Sequence, residues 1–149
     1  QIRELQNGGE FVVLLFLAAW GNDTLAYCTG MLIGKHKMSP ILSPKKSIEG
    51  LVGGIVGAAI LGALYGLYLN TYIRFSFNPV TMFPIVCGLG GAVSVIGDLA
   101  ASAIKRDSGI KDYGTLIPGH GGILDRFDSI IFIAPVIYYL TVMISGGAI

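Results

Sequence analysis

The chain has 149 residues, of which 53% are hydrophobic and only 13% are charged, and its mean hydropathy is +0.71. This composition is too apolar for an ordinary soluble domain and is typical of a membrane protein. The formal net charge is +1. We expect no nucleic-acid partner. Cys28 and Cys87 both lie inside apolar runs, so we expect buried thiols and no disulfide framework.

The chain opens with the charged segment QIRELQNGGE and does not begin with Met. This opening lacks the basic and short apolar regions of a signal peptide. We therefore expect a fragment whose N-terminal helices are missing.

Four apolar segments are long enough to cross a bilayer, which takes about 20 residues. They cover about 11–34, 50–69, 80–104 and 129–148. Backbone polar groups in lipid must be satisfied internally, and no segment shows the alternation of a barrel strand, so each should be a helix. We predict an all-α integral membrane protein, a bundle of about four transmembrane helices that forms one catalytic unit over residues 1–149, without strands.

The basic residues predict the orientation of this bundle. If the spans alternate in direction, eight of the ten Lys and Arg residues share one side of the membrane, and only Arg3 and Arg74 lie opposite. The positive-inside rule then places both basic loops in the cytoplasm. We expect a multi-pass protein of the cell (inner) membrane with its active site on the cytoplasmic face.

The second span carries small residues at four-residue spacing, Gly54, Ala58, Gly62 and Gly66. Small residues on one stripe let membrane helices approach closely. We favour packing within the bundle over a dedicated oligomer interface, although a homo-oligomer stays open.

The third span ends in a polar stripe. Ser94, Asp98, Ser102 and Lys105 follow at spacings of four, four and three, which place them on one helix face. An aspartate inside the membrane is costly unless it is paired, solvated or metal-bound. We therefore favour a functional role for Asp98 over a structural pairing with Lys105.

The stretch 102–128 between the last two spans contains four basic residues, four acids and a histidine, a mixture that suits a polyphosphate with a metal ion. Its glycine-rich turn, Gly119 to Gly122 around His120, would let backbone amides approach an anion, although His120 alone could be a plain loop residue. Asp125 and Asp128 sit three apart at the start of the fourth span, where helix capping is the alternative to metal binding.

Two further groups lie near the first basic loop. Asn22 and Asp23 interrupt the first span, and we expect them to be buried with partners; a structural hydrogen bond between helices is the alternative to function for Asp23. Lys45 and Lys46 precede a helix start at which Ser47 is a plausible N-cap. Anionic lipid headgroups would attract these lysines even without a site.

These residues together resemble a known family. The C-terminal motif of phosphatidate cytidylyltransferases, also called CDP-diacylglycerol synthases, is similar to the run Ser102, Lys105-Arg106, Lys111-Asp112, Pro118, His120-Gly121-Gly122, Asp125-Arg126 and Asp128. Further resemblance comes from Trp20–Tyr27, Ser43-Pro44-Lys45-Lys46, Glu49-Gly50 and Gly97-Asp98, so that it covers nearly the whole chain. The chain looks like the C-terminal half of a bacterial-type enzyme, with Ser47 where Thr is frequent.

The resemblance implies a reaction in the membrane, in which CTP and phosphatidate give CDP-diacylglycerol and pyrophosphate. It implies Mg²⁺ or Mn²⁺ as cofactor, with a second cation open, on Asp98 and Asp125, with Asp128 nearby and Asp23 as a weaker candidate. The implied catalytic residues are Asp98, Asp125, Lys105 and Lys111. The implied substrate-binding residues are Lys45, Lys46, Ser102, Arg106, His120, Gly121, Gly122 and Arg126.

Two other functions compete with this one. A CDP-alcohol phosphotransferase also uses membrane aspartates, but its clustered aspartate motif is missing. An ion-coupled transporter would also bury Asp23 and Asp98 among glycine-interrupted helices. The hydrophilic stretch 105–128 and the lack of a visible inverted repeat disfavour it.

Overall fold

The computed structural model describes residues 8–39, 43–110 and 124–144 of the chain. Its helices and strands are α1 (Gly8–Phe16), a π-helical turn (Leu17–Gly21), α2 (Asn22–Ile33), β1 (Lys37–Ser39), β2 (Ser43–Ser47), α3 (Ile48–Tyr72), α4 (Pro79–Asp107) and α5 (Leu124–Ile144). The first three follow one another without a break and form a single span, Gly8–Ile33.

The predicted helical membrane bundle is confirmed. Among the residues that the structure describes, three helices are long and apolar enough to cross a membrane, namely Gly8–Ile33, Ile48–Tyr72 and Pro79–Asp107. The fourth predicted span corresponds to α5, whose 21 residues extend about 32 Å at 1.5 Å per residue and whose apolar part is Ser129–Ile144. Residues 145–148 of that predicted span lie outside the described residues.

Local capping explains where α3 and α4 begin. The Ser47 hydroxyl accepts a hydrogen bond from the backbone N–H of Gly50 at 3.0 Å, which confirms the predicted N-cap. Asn78 caps α4 in the same way through the N–H of Val80, and Pro79 follows at the first helical position. Two short sequence signals therefore set both starts.

The small residues of α3 pack against neighbouring helices, as predicted. Gly54, Ala58, Gly62 and Gly66 are all buried. A Cβ at Gly62 would come within 2.7 Å of the Phe83 carbonyl oxygen, and one at Gly66 within 2.6 Å of the Pro79 carbonyl oxygen. Since these contacts are with the backbone of α4, the stripe serves packing within the bundle.

The opposite face of α3 points away from the bundle. Val52, Val56, Ile60, Leu64 and Tyr68, again four residues apart, are all more than half exposed. A row of large apolar side chains without protein cover would be unfavourable in water but is suited to lipid. Outward apolar side chains and inward small residues thus fit α3 to a membrane.

A two-stranded antiparallel hairpin, β1 with β2, contradicts the prediction that the chain contains no strands. Lys37 pairs with Ser47 and Ser39 with Ser43. The segment is short, lysine-rich and contains Pro44, so its propensity for strand is poor. It pairs because α2 and α3, packed antiparallel, bring its two ends together, and the N–H of Ile48 donates to the His36 carbonyl oxygen at 3.0 Å.

Aromatic side chains pack the end of the bundle away from this hairpin. The Phe83 ring lies 6.2 Å from Phe11, 6.0 Å from Tyr65 and 5.7 Å from Phe75, measured between ring centroids. The Tyr65 hydroxyl donates to the Glu10 carboxylate. This end is closed by edge and stacked ring contacts, which add to the stabilisation from buried area.

The cysteines agree with the sequence only in part. Both are free thiols, and Cys87 is buried as expected. Cys28 is exposed, so the prediction that it is buried is wrong. It lies in an apolar run but on the outward face of α2, and hydropathy alone does not distinguish lipid-facing from protein-facing positions.

Candidate functional site

A cleft of about 780 Å³ opens at the hairpin end of the bundle. Along α4, Asp98 in the cleft is 15 residues from Phe83, or about 22 Å from the aromatic end. Helix α2, the hairpin, the start of α3 and the last third of α4 all contribute to its wall. Its polar and charged lining residues are Asn22, Asp23, Lys37, Lys46, Ser47 and Asp98.

The central contact of the cleft is an ion pair between Lys46 and Asp98. The Lys46 ammonium donates to Oδ2 of Asp98, although 52 residues separate them in sequence. Each side chain is 26% exposed, so the pair is partly shielded from solvent. Asp98 is therefore neutralised by a lysine from the hairpin. The sequence suggested only Lys105 as a structural partner of Asp98 and did not indicate Lys46.

Asn22 forms the floor of the cleft. Its side chain is fully buried, and its Oδ1 has no hydrogen-bond partner among the described residues. A Cβ at Gly54 would lie 2.7 Å from this oxygen and one at Gly91 3.1 Å, so two glycines make room for it. The amide is thereby wedged between α3 and α4, where small residues let the helices approach.

Asp23 differs from the prediction that it is buried. It is exposed to the cleft, and the Nδ2 of Asn22 lies 3.4 Å from its Oδ1 as donor. Only the neighbouring Asn22 is buried. The free-energy cost of removing a polar group from water therefore applies to the amide of Asn22 and not to the carboxylate of Asp23. Asp23 thus lines the cleft on the side of the first span.

A π-helical turn, Leu17–Gly21, directly precedes these two residues. Such wide turns are rare and often occur at functional sites. The Trp20 ring at this turn lies 4.8 Å from the Phe16 ring and 6.3 Å from the Phe127 ring of α5. The turn therefore connects the residues of the cleft with the beginning of α5.

The hairpin is fixed to the start of α3 by Glu49. Its carboxylate accepts from the backbone N–H of His36 at 3.2 and 3.3 Å and contacts the Nδ1 of the same imidazole at 2.6 Å. Glu49 was noted in the sequence only as part of the resemblance. Its carboxylate holds the segment before β1, and hence the strand pair that carries Lys37 and Lys46, beside the cleft.

The basic residues at the end of α4 are helical, which corrects the prediction that the loop begins at Lys105. Lys105 and Arg106 occupy the last turn of α4, where cations favour the helix dipole. Arg106 donates to the carbonyl oxygen of Ile110 at 3.5 Å. Ser102 is half-buried, one turn beyond Asp98, so the predicted polar stripe exists on α4.

The remaining predicted site residues are only partly described. Lys45 lies in β2, and Asp125, Arg126 and Asp128 lie in the first part of α5, but their side chains are outside the description. Four further predicted residues lie outside the described residues, namely Lys111, His120, Gly121 and Gly122.

The cleft suits a hard divalent cation by the chemistry of its donors. Asp23 and Asp98 both offer carboxylate oxygens to it. Within residues 8–39, 43–110 and 124–144, no three His, Cys, Asp or Glu side chains cluster as a complete metal cage. Mg²⁺ does not need one, since proteins usually bind it through one or two carboxylates together with water and substrate phosphates.

Comparison with known proteins identifies the family. A model of the cytidylyltransferase family matches residues 1–144. The chain belongs to the cytidylyltransferase family. Its relatives include the phosphatidate cytidylyltransferases of Staphylococcus saprophyticus, 39% identical over 137 residues and 92% of this chain, and of Staphylococcus aureus, 40% identical over 135 residues and 91% of this chain. The corresponding protein of Staphylococcus haemolyticus is 38% identical over 136 residues, again 91% of the chain.

The chain spans about half the length of these relatives, 51%, 50% and 50% respectively. The family and the names of the relatives confirm the resemblance to phosphatidate cytidylyltransferases. They give no support to the ion-coupled transporter.

Proposed function

We propose that the protein transfers the cytidylyl group of CTP to phosphatidate, giving CDP-diacylglycerol and pyrophosphate. The observation that carries this proposal is the Lys46–Asp98 pair in a cleft at one end of a membrane bundle, in a chain of the cytidylyltransferase family. The cleft offers both signs of charge, since Asp23, Asp98, Lys37 and Lys46 all line it. The positive charges can bind the phosphates of both substrates, and the negative charges can hold a divalent cation between them.

The reaction makes modest chemical demands on the protein. A phosphate oxygen of phosphatidate attacks the α-phosphorus of CTP, the bond between that phosphorus and the bridging oxygen to the β-phosphate breaks, and pyrophosphate leaves with the electron pair. The attacking oxygen is already anionic, so no general base is required. The protein mainly has to bring two anions together in line and to neutralise the charge that develops.

Cationic side chains would do much of this neutralisation. Lys46 and Lys37 line the cleft from the hairpin, and Lys105 with Arg106 ends α4 on the same side of the bundle. We assign phosphate binding to them together with the sequence-predicted residues Lys45, Ser102, Lys111, His120, Gly121, Gly122 and Arg126. Each of these cations neutralises part of the charge of the polyphosphate, so each single residue contributes only a part of the binding.

A divalent cation, Mg²⁺ or Mn²⁺, would draw electron density from the phosphates when it is bound. Asp98 would hold it, with Asp23 facing the same cleft. Asp125 and Asp128 would join them from α5: the two positions fall seven and four residues before Phe132, on one helical face, and Phe132 packs on Gly97. The same proposal leaves room for a second cation beside the first.

The lipid substrate suggests the orientation of the site. Two acyl chains keep phosphatidate in the bilayer, so its headgroup would enter the cleft laterally from the membrane face. CTP is a cytoplasmic nucleotide, and the excess of Lys and Arg at the hairpin end follows the positive-inside rule. We therefore propose a protein of the cell (inner) membrane whose cleft opens to the cytoplasm.

Substitution of Asp98 tests the function. In the full-length protein, Asp98→Asn should lower CTP- and Mg²⁺-dependent formation of CDP-diacylglycerol by about a hundredfold or more, equivalent to about 2.7 kcal/mol of transition-state stabilisation. Asparagine keeps the size of the side chain but not the negative charge that holds the cation. Asp125→Asn should act in the same direction.

The matched control is Asp107→Asn, the same change at an exposed position on the same helix, which should leave the rate unchanged. Product is measured as radiolabelled CDP-diacylglycerol from labelled CTP, and folding by the thermal midpoint in detergent. Near-normal product formation by Asp98→Asn would contradict the assignment. Absence of product from the unaltered protein with either CTP or dCTP would contradict the function itself.

A further inference from the structure

The Lys46–Asp98 pair has a consequence for how a cation reaches the site. Lys46 Nζ contacts Oδ2 of Asp98, one of the two carboxylate oxygens that would hold a metal ion. An ammonium and a divalent cation that share one carboxylate repel each other, so each weakens the binding of the other. A divalent cation at Asp98 therefore competes with the lysine and favours its departure.

The fold allows the side chain of Lys46 to move while its backbone stays in place. The strand that carries it pairs with β1, and the next residue, Ser47, caps α3 and is buried. Glu49 holds the other end of the hairpin through His36. A lysine ends in a compact charge on a flexible four-carbon stem, so it can swing within the cleft without any change of the hairpin.

We infer that Lys46 is an internal counter-ion that occupies the place of the divalent cation at Asp98 and exchanges with it. The inference rests on the proposed function, because it concerns the same cleft. Before the cation arrives, Lys46 neutralises an aspartate that would otherwise be an uncompensated charge in a membrane helix. After the exchange, the freed ammonium remains in the cleft, where Lys37 also lies, and faces the phosphates of the substrate.

A measurable effect on metal affinity follows from this competition. The apparent affinity for the cation equals the intrinsic affinity multiplied by the fraction of molecules in the binding-competent state. If the pair is formed about nine-tenths of the time, its removal should tighten cation binding about tenfold. A lysine that served only to bind phosphate would produce no such gain.

The first experiment measures Mn²⁺ binding by electron paramagnetic resonance, with the full-length protein in detergent and without nucleotide or lipid. Lys46→Met, which keeps the stem and removes the charge, should bind Mn²⁺ about tenfold more tightly than the unaltered protein. Lys37→Met is the matched control: it removes one positive charge from the same cleft but not the one that contacts Asp98. It should have a much smaller effect.

Asp98→Asn should abolish this class of bound Mn²⁺. Unchanged or weaker Mn²⁺ binding by Lys46→Met, or an equal gain in Lys37→Met, would overturn the inference. So would Mn²⁺ binding by Asp98→Asn that equals that of the unaltered protein.

A second experiment needs no variant and so does not depend on the folding of one. Brief acetylation of the unaltered protein, followed by mass spectrometry of its peptides, reports the reactivity of each lysine. Mg²⁺ alone should increase acetylation of Lys46 severalfold, because the ammonium loses its carboxylate partner, and should leave Lys37 nearly unchanged. Equal or slower acetylation of Lys46 in Mg²⁺ would contradict the exchange.

Formation of CDP-diacylglycerol, measured in parallel on the unaltered protein, separates the two proposals. If product forms but Lys46→Met binds Mn²⁺ no more tightly, the exchange is refuted and the proposed function stands. If Mn²⁺ binding tightens but no product forms, the exchange is supported and the proposed reaction fails.

Discussion

Asp98 combines three properties that are rarely found together in a membrane helix. It is charged, it lies nine residues before the end of α4, and only a quarter of its side chain is exposed. A carboxylate at that depth is costly unless a cation accompanies it. Lys46 is that cation in the structure, and the lysine comes from outside the membrane spans, so the compensation depends on the hairpin being in place.

Lys105 should have a milder role than Asp98. In Lys105→Ala we expect the KM for CTP to rise about tenfold, equivalent to about 1.4 kcal/mol, while measurable turnover remains. The reason is that other cations, Arg106 beside it and Lys46 in the cleft, still screen the polyphosphate. Steady-state kinetics with varied CTP gives the measurement. Lys111→Ala should behave similarly.

Arg74→Ala provides the control for charge in general, because Arg74 is a basic residue between α3 and α4 at the other end of the bundle. It should leave the KM for CTP unchanged. Complete loss of activity in Lys105→Ala, with the protein still folded, would instead assign it a role in the chemical step.

The sequence predicted that the Asp98 carboxylate is functional but did not predict its partner. Asp98 stood out because a charge inside an apolar run needs a reason. Lys46 could not be matched to it, since 52 residues separate the two and only the packing of α2, α3 and α4 brings them together. The exposure of Asp23 was mispredicted for a similar reason: hydropathy along the chain does not show where a cleft opens.

Among the elements, the hairpin is the one whose position depends on few contacts. Glu49 holds its base through the backbone and the ring of His36. We expect Glu49→Ala to increase amide hydrogen exchange in β1 and β2 and to raise the KM for CTP more than it lowers kcat. The reason is that the carboxylate positions Lys37 and Lys46 through the hairpin and does not itself line the cleft.

Hydrogen exchange with mass spectrometry, on the full-length protein in detergent, checks this expectation. Glu49→Gln should recover part of the protection, since its amide oxygen still accepts from a backbone N–H. Lys35→Ala, an exposed neighbour in the same connection, should change neither quantity. Unaltered exchange in Glu49→Ala would show that strand pairing alone fixes the hairpin.

The contact between α3 and α4 depends on the absence of side chains at particular positions. In Gly62→Ala the new Cβ would lie 2.7 Å from the carbonyl oxygen of Phe83 and 2.9 Å from the Sγ of Cys87. The neighbouring backbone cannot yield without separating the helices, so we expect a loss of about 1–3 kcal/mol, the usual range for overpacking. A lower thermal midpoint in detergent would report it.

The same substitution at Gly88 serves as the control. Its Cβ would meet nothing closer than the Cβ of Ala59 at 3.7 Å, an ordinary contact. Alanine is also the better helix former, so Gly88→Ala should be neutral or slightly stabilising. If both variants unfold at the same temperature, close approach at Gly62 is not what holds α3 to α4.

The helices could be predicted from the sequence to within a few residues, whereas the hairpin could not. Long apolar runs have few alternatives in lipid, and the caps at Ser47 and Asn78 mark helix starts locally. The hairpin forms because two helices bring its ends together, which no local pattern records. The last turn of α4 was assigned to a loop because Lys105 and Arg106 are charged, yet cations are favourable at a helix C-terminus.

The whole molecule is divided between a closely packed end and an open end. Aromatic rings around Phe83 fill the first, and the cleft with its ion pair occupies the second. Such a division suits the reaction on a lipid headgroup that we propose. The packed end fixes the relative positions of the helices, and the open end is then free to carry charges, a hairpin and substrate-sized space.

The orientation of this molecule gives the last prediction. The connection before β1 and the end of α4 lie at one end of the bundle, and the turn between α3 and α4 lies at the other. Among the described residues, seven Lys and Arg residues lie at the hairpin end and only Arg74 at the other, so we expect the hairpin end in the cytoplasm. Single cysteines at Lys35 and Ser108 should then be labelled by a membrane-impermeant maleimide only after the inner face is opened, and one at Ser76 from outside, all three positions being exposed.

The background for these variants is Cys28→Ser, because Cys28 is itself exposed and would be labelled. Labelling of positions 35 and 108 from opposite sides would contradict the bundle, whereas labelling of both from outside would keep the bundle and reverse its orientation, so that the cleft could not receive cytoplasmic CTP.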